Sequence, residues 1–469
     1  MGTVALPLWL VILVGLLAAV GLLDRLLVPS VRWFIRSRAN KVLDEVGARL
    51  RIEIRPFQQT RRQVLIDRLL YDEKVQQAGA AYALAQNMPR EVVIARITAY
   101  AREIVPAFNA YFYFRVGYWL GRKIAQSLYR VRVGYTDSPG LARISPDATV
   151  VFVMNHRSNM DYILAAYLVA DQAALSYAVG EWARIWPLQQ LIRSMGAYFV
   201  RRNSRDDLYR RVLERYIGMA TEAGVTQALY PEGSLSRDGS LREPRLGALD
   251  YMLRGFNPDG GRDLVFIPLG INYDRTLEDR TLLLGRDQDA PRPGQLRAAW
   301  NTLAFAAHQL SLRLRSDWHR FGYACVNFGT PLSMREYLQT QDFDLRKLDK
   351  DARQQRVAEL GAQLMQRVGR LIPVLPVPLV ALVFRRNPGR ALSELELKSE
   401  AETLIERLEA AGAHIYIPRR DRDYAVTAGL RMMLLRHLVA ERDGLYAAEP
   451  AEAALLGYYA NSIAHLLPG

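Results

Sequence analysis

The sequence predicts an α/β fold over residues 145–335, a mixed, largely parallel sheet flanked by helices, with helical additions on both sides. Two observations predict it. Short apolar runs alternate there with helix-length segments, the one-dimensional signature of a sheet covered by helices. Several of those runs end in clusters of polar and charged residues, and open α/β sheets gather their ligands at the carboxyl ends of strands.

From the N-terminus, residues 1–29 hold Val4–Leu23, uncharged and apolar. About twenty such residues are enough to cross a hydrocarbon core of about 30 Å. No Lys or Arg precedes the run and no small-residue cleavage site follows it, so it makes a poor secretory signal. Arg25, Arg32, Arg36, Arg38 and Lys41 come next. By the positive-inside rule they leave the downstream chain in the cytoplasm, so a membrane anchor helix is expected.

Residues 30–144 read as a helical N-terminal region with basic faces. Val42–Ile54 is short and amphipathic; Glu91–Val105 and Phe108–Leu128 are longer, the second rich in Tyr, Phe and Trp. Its aromatic and basic residues suit lipid headgroups, and equally a face packed on the main domain.

The expected strands are Thr149–Met154, Leu175–Val179, Ala197–Val200, Gln227–Tyr230, Leu264–Ile271 and Tyr323–Phe328. The expected helices are Tyr162–Ala170, Pro187–Ser194, Asp206–Ala223, Arg245–Leu253 and Leu296–Leu314. Residues 336–469 read as mainly helical. Leu371–Phe384 is apolar but broken by prolines and too short to span, which predicts a packed or interfacial segment.

The formal charge is +14, and only six of the 62 basic residues are lysines: Lys41, Lys74, Lys123, Lys347, Lys350 and Lys398. Guanidinium forks match phosphate oxygens, so this bias suits a phosphorylated ligand. A basic balance also suits an anionic membrane surface. No nucleic-acid module is legible, and nucleic acid is not an expected partner. Cys325 is the only cysteine, which excludes disulfide frameworks and cysteine zinc sites within one chain. Its strand-like setting predicts a buried, inert thiol. His308, His319, His414, His437 and His465 show no ligand spacing, and no metal site is expected.

Asn155-His156-Arg157-Ser158-Asn159-Met160-Asp161-Tyr162 joins an apolar strand to a helix. An imidazole near neutral pKa can take a proton from an alcohol, and a carboxylate on its other nitrogen fixes the tautomer. Ser158 and Asp161 also fit a helix start, with serine as cap and an acid in the first turn. On these residues alone the two readings stand level.

Three further clusters close strands of the same region. Gly196-Ala-Tyr-Phe-Val-Arg201-Arg202 ends in adjacent arginines, of which an extended chain aims only one at a shared cleft. Tyr230-Pro-Glu232-Gly233-Ser-Leu-Ser236-Arg237-Asp-Gly239 is a glycine-punctuated loop with hydroxyl and guanidinium donors. Phe266-Ile-Pro268-Leu-Gly-Ile-Asn-Tyr-Asp274 is an apolar strand end.

In that order the four clusters resemble the glycerolipid acyltransferases. The HxxxxD signature of that superfamily falls on His156 and Asp161, its second block on Gly196 to Arg202, its third on Glu232, Gly233, Ser236 and Arg237, and its fourth on Pro268. The wording is most like the bacterial membrane-bound glycerol-3-phosphate acyltransferases. Val326 to Pro331 and the near-terminal Tyr458 to His465 share that likeness. Two departures stand out: Leu235 occupies a position where an arginine is expected, and Pro231 before Glu232 is closer to the lysophosphatidic-acid branch.

The resemblance implies acyl transfer from acyl-coenzyme A or acyl carrier protein to the sn-1 hydroxyl of glycerol-3-phosphate, with no further cofactor. His156 would act as base and Asp161 as its support. Arg202 and Arg237, with Arg201, would hold the phosphate; Glu232, Gly233 and Ser236 would shape the acceptor site, and Pro268 the acyl pocket. It further implies the cytoplasmic side of a bacterial inner membrane, on anionic lipids. A second acceptor, 1-acyl-sn-glycerol-3-phosphate, stays open, as does a non-catalytic lipid- or anion-binding protein on the same fold.

Overall fold

The computed structural model describes residues 55–169, 174–180, 188–201, 204–284 and 321–467. The expected anchor Val4–Leu23 and the expected helices Val42–Ile54 and Leu296–Leu314 lie outside the described residues. Among the described residues no helix is long and apolar enough to cross a membrane.

Eight described strands make one sheet: β1 (Arg130–Thr136), β2 (Thr149–Met154), β3 (Ser176–Val179), β4 (Tyr198–Phe199), β5 (Gln227–Leu229), β6 (Leu264–Tyr273), β7 (Tyr323–Phe328) and β8 (Leu332–Ser333). Their order is β1-β7-β6-β2-β5-β3-β4, with β8 also on β6. Pairing is parallel except where β6 meets β7 and β8. The sheet is thus mixed and mostly parallel, as the alternation predicted.

β2 sits in the middle, between β6 and β5. Its near-continuous apolar sequence follows from being covered on both faces. Successive side chains of a strand point to opposite faces. Val151 and Val153 accordingly enter one core, and Phe152 and Met154 the other.

The first core is closed by α1 (Arg62–Leu70), α2 (Glu73–Ala85) and α3 (Arg90–Ile104) together with later helices. The second is closed by α4 (Tyr118–Leu128) and α5 (Met160–Val169). The later helices on the first face are α6 (Asp207–Glu222), α7 (Gly247–Arg254) and α8 (Lys350–Leu371). Asp206 caps α6 by accepting the Tyr209 N–H at 3.1 Å.

Leu371–Phe384 is a packed segment. Most of it forms α9 (Pro376–Arg386), buried from Pro376 to Phe384. Around it gather α10 (Glu394–Ala410), α11 (Arg422–Leu435) and α12 (Ala453–Ala464), a third core built from C-terminal residues. A small antiparallel sheet, β9 (Leu392–Ser393), β10 (Val439–Arg442) and β11 (Leu445–Ala448), lies beside them and was not expected.

One boundary needs correction. The N-terminal region was expected to stay helical to residue 144, yet β1 pairs in parallel with β7 as the sheet's edge. Arg-Val-Arg-Val-Gly-Tyr-Thr carries two arginines and a glycine and is exposed over most of its length, as suits an edge strand. The aromatic run before it begins as a π-helical turn, Phe112–Gly117, and only then becomes α4.

Candidate active site

β2 ends at Met154, and the next side chain continues its ladder. Asn155 Nδ2 donates to the Ile271 carbonyl, and Asn155 Oδ1 accepts the Ile271 N–H, both at 2.8 Å. This amide pair pins the turn to β6, so His156 leaves the sheet at a fixed point.

The His156 side chain is only 3% exposed, with Nδ1 2.9 Å from Asp161 Oδ2. The same oxygen accepts the backbone N–H groups of Arg157 at 2.7 Å and Ser158 at 3.0 Å. Tyr273 O–H donates to the other oxygen, Oδ1, at 2.6 Å. A carboxylate surrounded by donors takes the hydrogen of Nδ1 as well, which leaves Nε2 bare. Tyr162 O–H stands 3.3 Å from Nε2. With Nδ1 carrying the hydrogen, Nε2 is the acceptor, and an alcohol that takes the place of the Tyr162 hydroxyl could give it a proton.

The helix-start reading holds at the same place. Ser158 Oγ accepts the Met160 N–H at 3.1 Å, and Asp161 lies in the first turn of α5. Glu278 completes the cap: Oε2 accepts the Ser158 hydroxyl at 2.7 Å and Oε1 the Asn159 N–H at 3.1 Å. Cap and base pair are one device.

The loop after β5 behaves differently from expectation. Both oxygens of Glu232 are engaged by backbone donors, Oε1 by His156 N–H at 2.8 Å and Oε2 by Arg242 N–H at 3.2 Å. Burial pushes its carboxyl up to about 7, against the pull of those two N–H groups and of Arg157. Glu232 is thus a brace between two loops, holding the backbone of His156 to that of Arg242.

Ser236 is buried, donating to Ser240 O at 2.8 Å, while its N–H reaches His156 O at 3.1 Å. These bonds hold the loop's shape. Arg237 is exposed and does not line the cavity beside His156. Arg202 lies outside the described residues. Gly233 has φ +69°, and a side chain there would meet Arg245 Cδ at 2.7 Å.

His156 opens into a cavity of about 390 Å³ between α6, α7 and the ends of β3 and β5. Tyr198, Val200, Leu213 and Tyr251 supply apolar wall; Arg201 and Arg245 supply positive charge. Arg201 Nε and Nη2 donate to Glu103 at 2.9 and 2.6 Å, and its guanidinium lies 5.0 Å from the Tyr100 and Tyr209 ring centres. The carboxylate of Glu103 raises its pKa further. Arg245, which the sequence reading placed only at a helix start, stands over Gly233 on the same cavity.

Pro268 does not line this cavity. It is buried in β6 opposite Val153, next to Gly329 and Leu371. It falls where the antiparallel partner of β6 changes from β8 to β7, so its missing N–H interrupts no ladder there. Cys325 is buried, and desolvation pushes its thiol to about 12, so it supplies no nucleophile.

A histidine–carboxylate pair stands at the end of the central strand of a mixed sheet, and residues 137–272, which contain it, match the acyltransferase family model. Residues 311–468 match the model of the glycerol-3-phosphate acyltransferase C-terminal region. The chain resembles curated glycerol-3-phosphate acyltransferases over most of its length. It is 26% identical over 417 residues to that of Xanthomonas axonopodis pv. citri, covering 86% of this chain and 46% of the relative. It is 28% identical over 427 residues to that of Pseudomonas putida, covering 86% and 49%. The chain therefore spans about half the length of the curated relatives it matches. A solved 1-acyl-sn-glycerophosphate acyltransferase of Thermotoga maritima aligns at 16% identity and TM-score 0.31, over 54% of this chain and 78% of that one.

Proposed function

We propose that this chain transfers an acyl group from acyl-coenzyme A or acyl carrier protein to the sn-1 hydroxyl of glycerol-3-phosphate, giving lysophosphatidic acid for phospholipid synthesis. The observation that carries the reading is His156 with Nδ1 2.9 Å from Asp161 Oδ2, on the wall of a cavity that Arg201 and Arg245 also line.

His156 Nε2 takes the hydroxyl proton as that oxygen attacks the thioester carbonyl carbon. The tetrahedral oxyanion collapses, the C–S bond breaks, and the thiolate leaves with the proton that His156 had held. Asp161 stabilises the imidazolium in between. Arg245 meets the phosphate and holds the hydroxyl in line, which converts binding into positioning. Arg201, paired to Glu103, stands on the wall of the same cavity. The apolar wall around Tyr198, Val200 and Leu213 takes over the acyl-pocket role expected of Pro268. The thioester is a co-substrate, and the reading calls for no cofactor.

The same reading sets the chain on anionic lipid at the cytoplasmic face of a bacterial inner membrane. Supporting it, Val116, Trp119 and Leu120 are exposed on one stretch of helix, with Trp119 58% exposed, beside Arg115, Arg122 and Lys123. Aromatic and basic residues on one face suit the headgroup layer.

Pro231 in the third block favours a second acceptor, 1-acyl-sn-glycerol-3-phosphate, with phosphatidic acid as product. Both acceptors are tested together, each with palmitoyl-coenzyme A and palmitoyl-acyl carrier protein, by product formation and thiol release. Faster acylation of glycerol-3-phosphate is expected. Acylation of lysophosphatidic acid alone overturns the acceptor assignment, and no turnover with either donor overturns the enzymatic reading.

A further inference from the structure

Asp161 has two oxygens with separate duties. Oδ2 faces His156 and two backbone N–H groups, whereas Oδ1 receives the Tyr273 hydroxyl at 2.6 Å. Tyr273 lies 112 residues further along the chain, at the end of β6, and only 1% of it is exposed. Its own N–H is taken by Asn272 Oδ1 at 3.0 Å, and the Tyr129 ring packs against its ring with centroids 5.2 Å apart. The phenol is therefore carried by a rigid strand and aimed at one oxygen. Burial and the neighbouring carboxylate hold its pKa well above the ordinary tyrosine value, so it stays a donor.

Resting on the functional reading above, we propose that Tyr273 is a positioning residue for the His156–Asp161 pair. It fixes the carboxylate plane so that Oδ2 meets Nδ1, and it sets how much negative charge Asp161 presents to the imidazolium. Such an outer partner both orients the base and tunes its proton affinity. Removing the donor leaves the carboxylate charge less dispersed, which favours the protonated imidazole. The acidic limb of the rate profile then moves to higher pH, while the bare ring is less well aligned for attack.

Two variants test this, with the wild-type chain in parallel: Tyr273→Phe, and 3-fluorotyrosine at position 273, which keeps the shape and strengthens the donor. A hydrogen bond to a charged group corresponds to roughly ten- to hundredfold in rate. Tyr273→Phe is expected to lower kcat by about that factor with KM for donor and acceptor little changed, and to shift the acidic limb of kcat/KM upward. The fluorinated chain is expected to shift that limb downward. A purely structural role would lower thermal stability and leave the limb where it is. Wild-type kcat and an unmoved limb in both chains overturn the proposal while leaving the functional reading intact. Should Tyr273→Phe not fold, the direction of the fluorotyrosine shift decides alone. An inactive wild-type chain removes both readings together.

Discussion

Glu232 accepts the backbone N–H of His156 at 2.8 Å, across 76 residues of sequence. The bond ties the loop after β5 to the loop after β2, and Glu232's other oxygen ties in Arg242 at 3.2 Å. One buried carboxyl thus sets the backbone from which the imidazole hangs.

That carboxyl gives a pH prediction. Its value rises from 4.5 to about 7 in the folded chain, chiefly by burial. A raised folded-state value means its contribution is present in full below about 4.5 and lost as pH rises through about 7. The loss is on the order of 3 kcal/mol. Asp274, also raised to about 7 by burial, acts in the same window. Glu232→Gln is expected to flatten part of the fall in denaturation midpoint between pH 5 and pH 8. An equal difference from wild type at both pH values contradicts this.

Arg245 and Arg237 separate by geometry. Arg245 lines the His156 cavity and Arg237 does not. Arg245→Ala is expected to raise KM for the phosphorylated acceptor about tenfold or more, in line with a lost charge-assisted contact. Arg237→Ala is expected to leave it within about twofold. Initial rates across acceptor concentration check both, and the opposite ranking would return the phosphate to the loop after β5.

Gly239 shows why the C-terminal region matters to the site. With φ +85°, it lies so close to Tyr458 that an added Cβ would fall 1.8 Å from the Tyr458 carbonyl oxygen. Asn461 Nδ2 donates to Asp238 O at 2.8 Å, and Arg157 stacks 4.7 Å from the Tyr458 ring centre. Gly239→Ala should therefore push α12 off the catalytic loop and cost roughly 2–5 kcal/mol, with activity falling too. Gly444→Ala is the control: φ is +76° but nothing lies within 4 Å. That change should cost about 1 kcal/mol and spare activity. Equal losses of activity in the two variants would remove the docking argument.

Much of the sheet was legible because β2, β6 and β7 are apolar on both faces and bounded by turns. β1 was not, since its arginines and glycine belong to an edge and break the buried-strand pattern. The pairing of His156 with Asp161 follows from local spacing on a turn. Long-range partners left no local trace: Tyr273, Glu278 and Arg245 reach the site only through strand register and loop packing. The sequence did not show where Ser236 and Arg237 lie, one buried and the other exposed, because a polar loop sequence does not say which side chains turn inward.

The central claim is that His156 is the base for acyl transfer, and purified His156→Ala tests it most directly. Single-turnover and steady-state acylation of glycerol-3-phosphate are measured beside the wild-type chain, with thermal denaturation as a check on folding. The expected result is a fall in kcat of at least about a thousandfold with the denaturation midpoint little changed. A folded His156→Ala chain that turns over at near-wild-type rate would contradict the account.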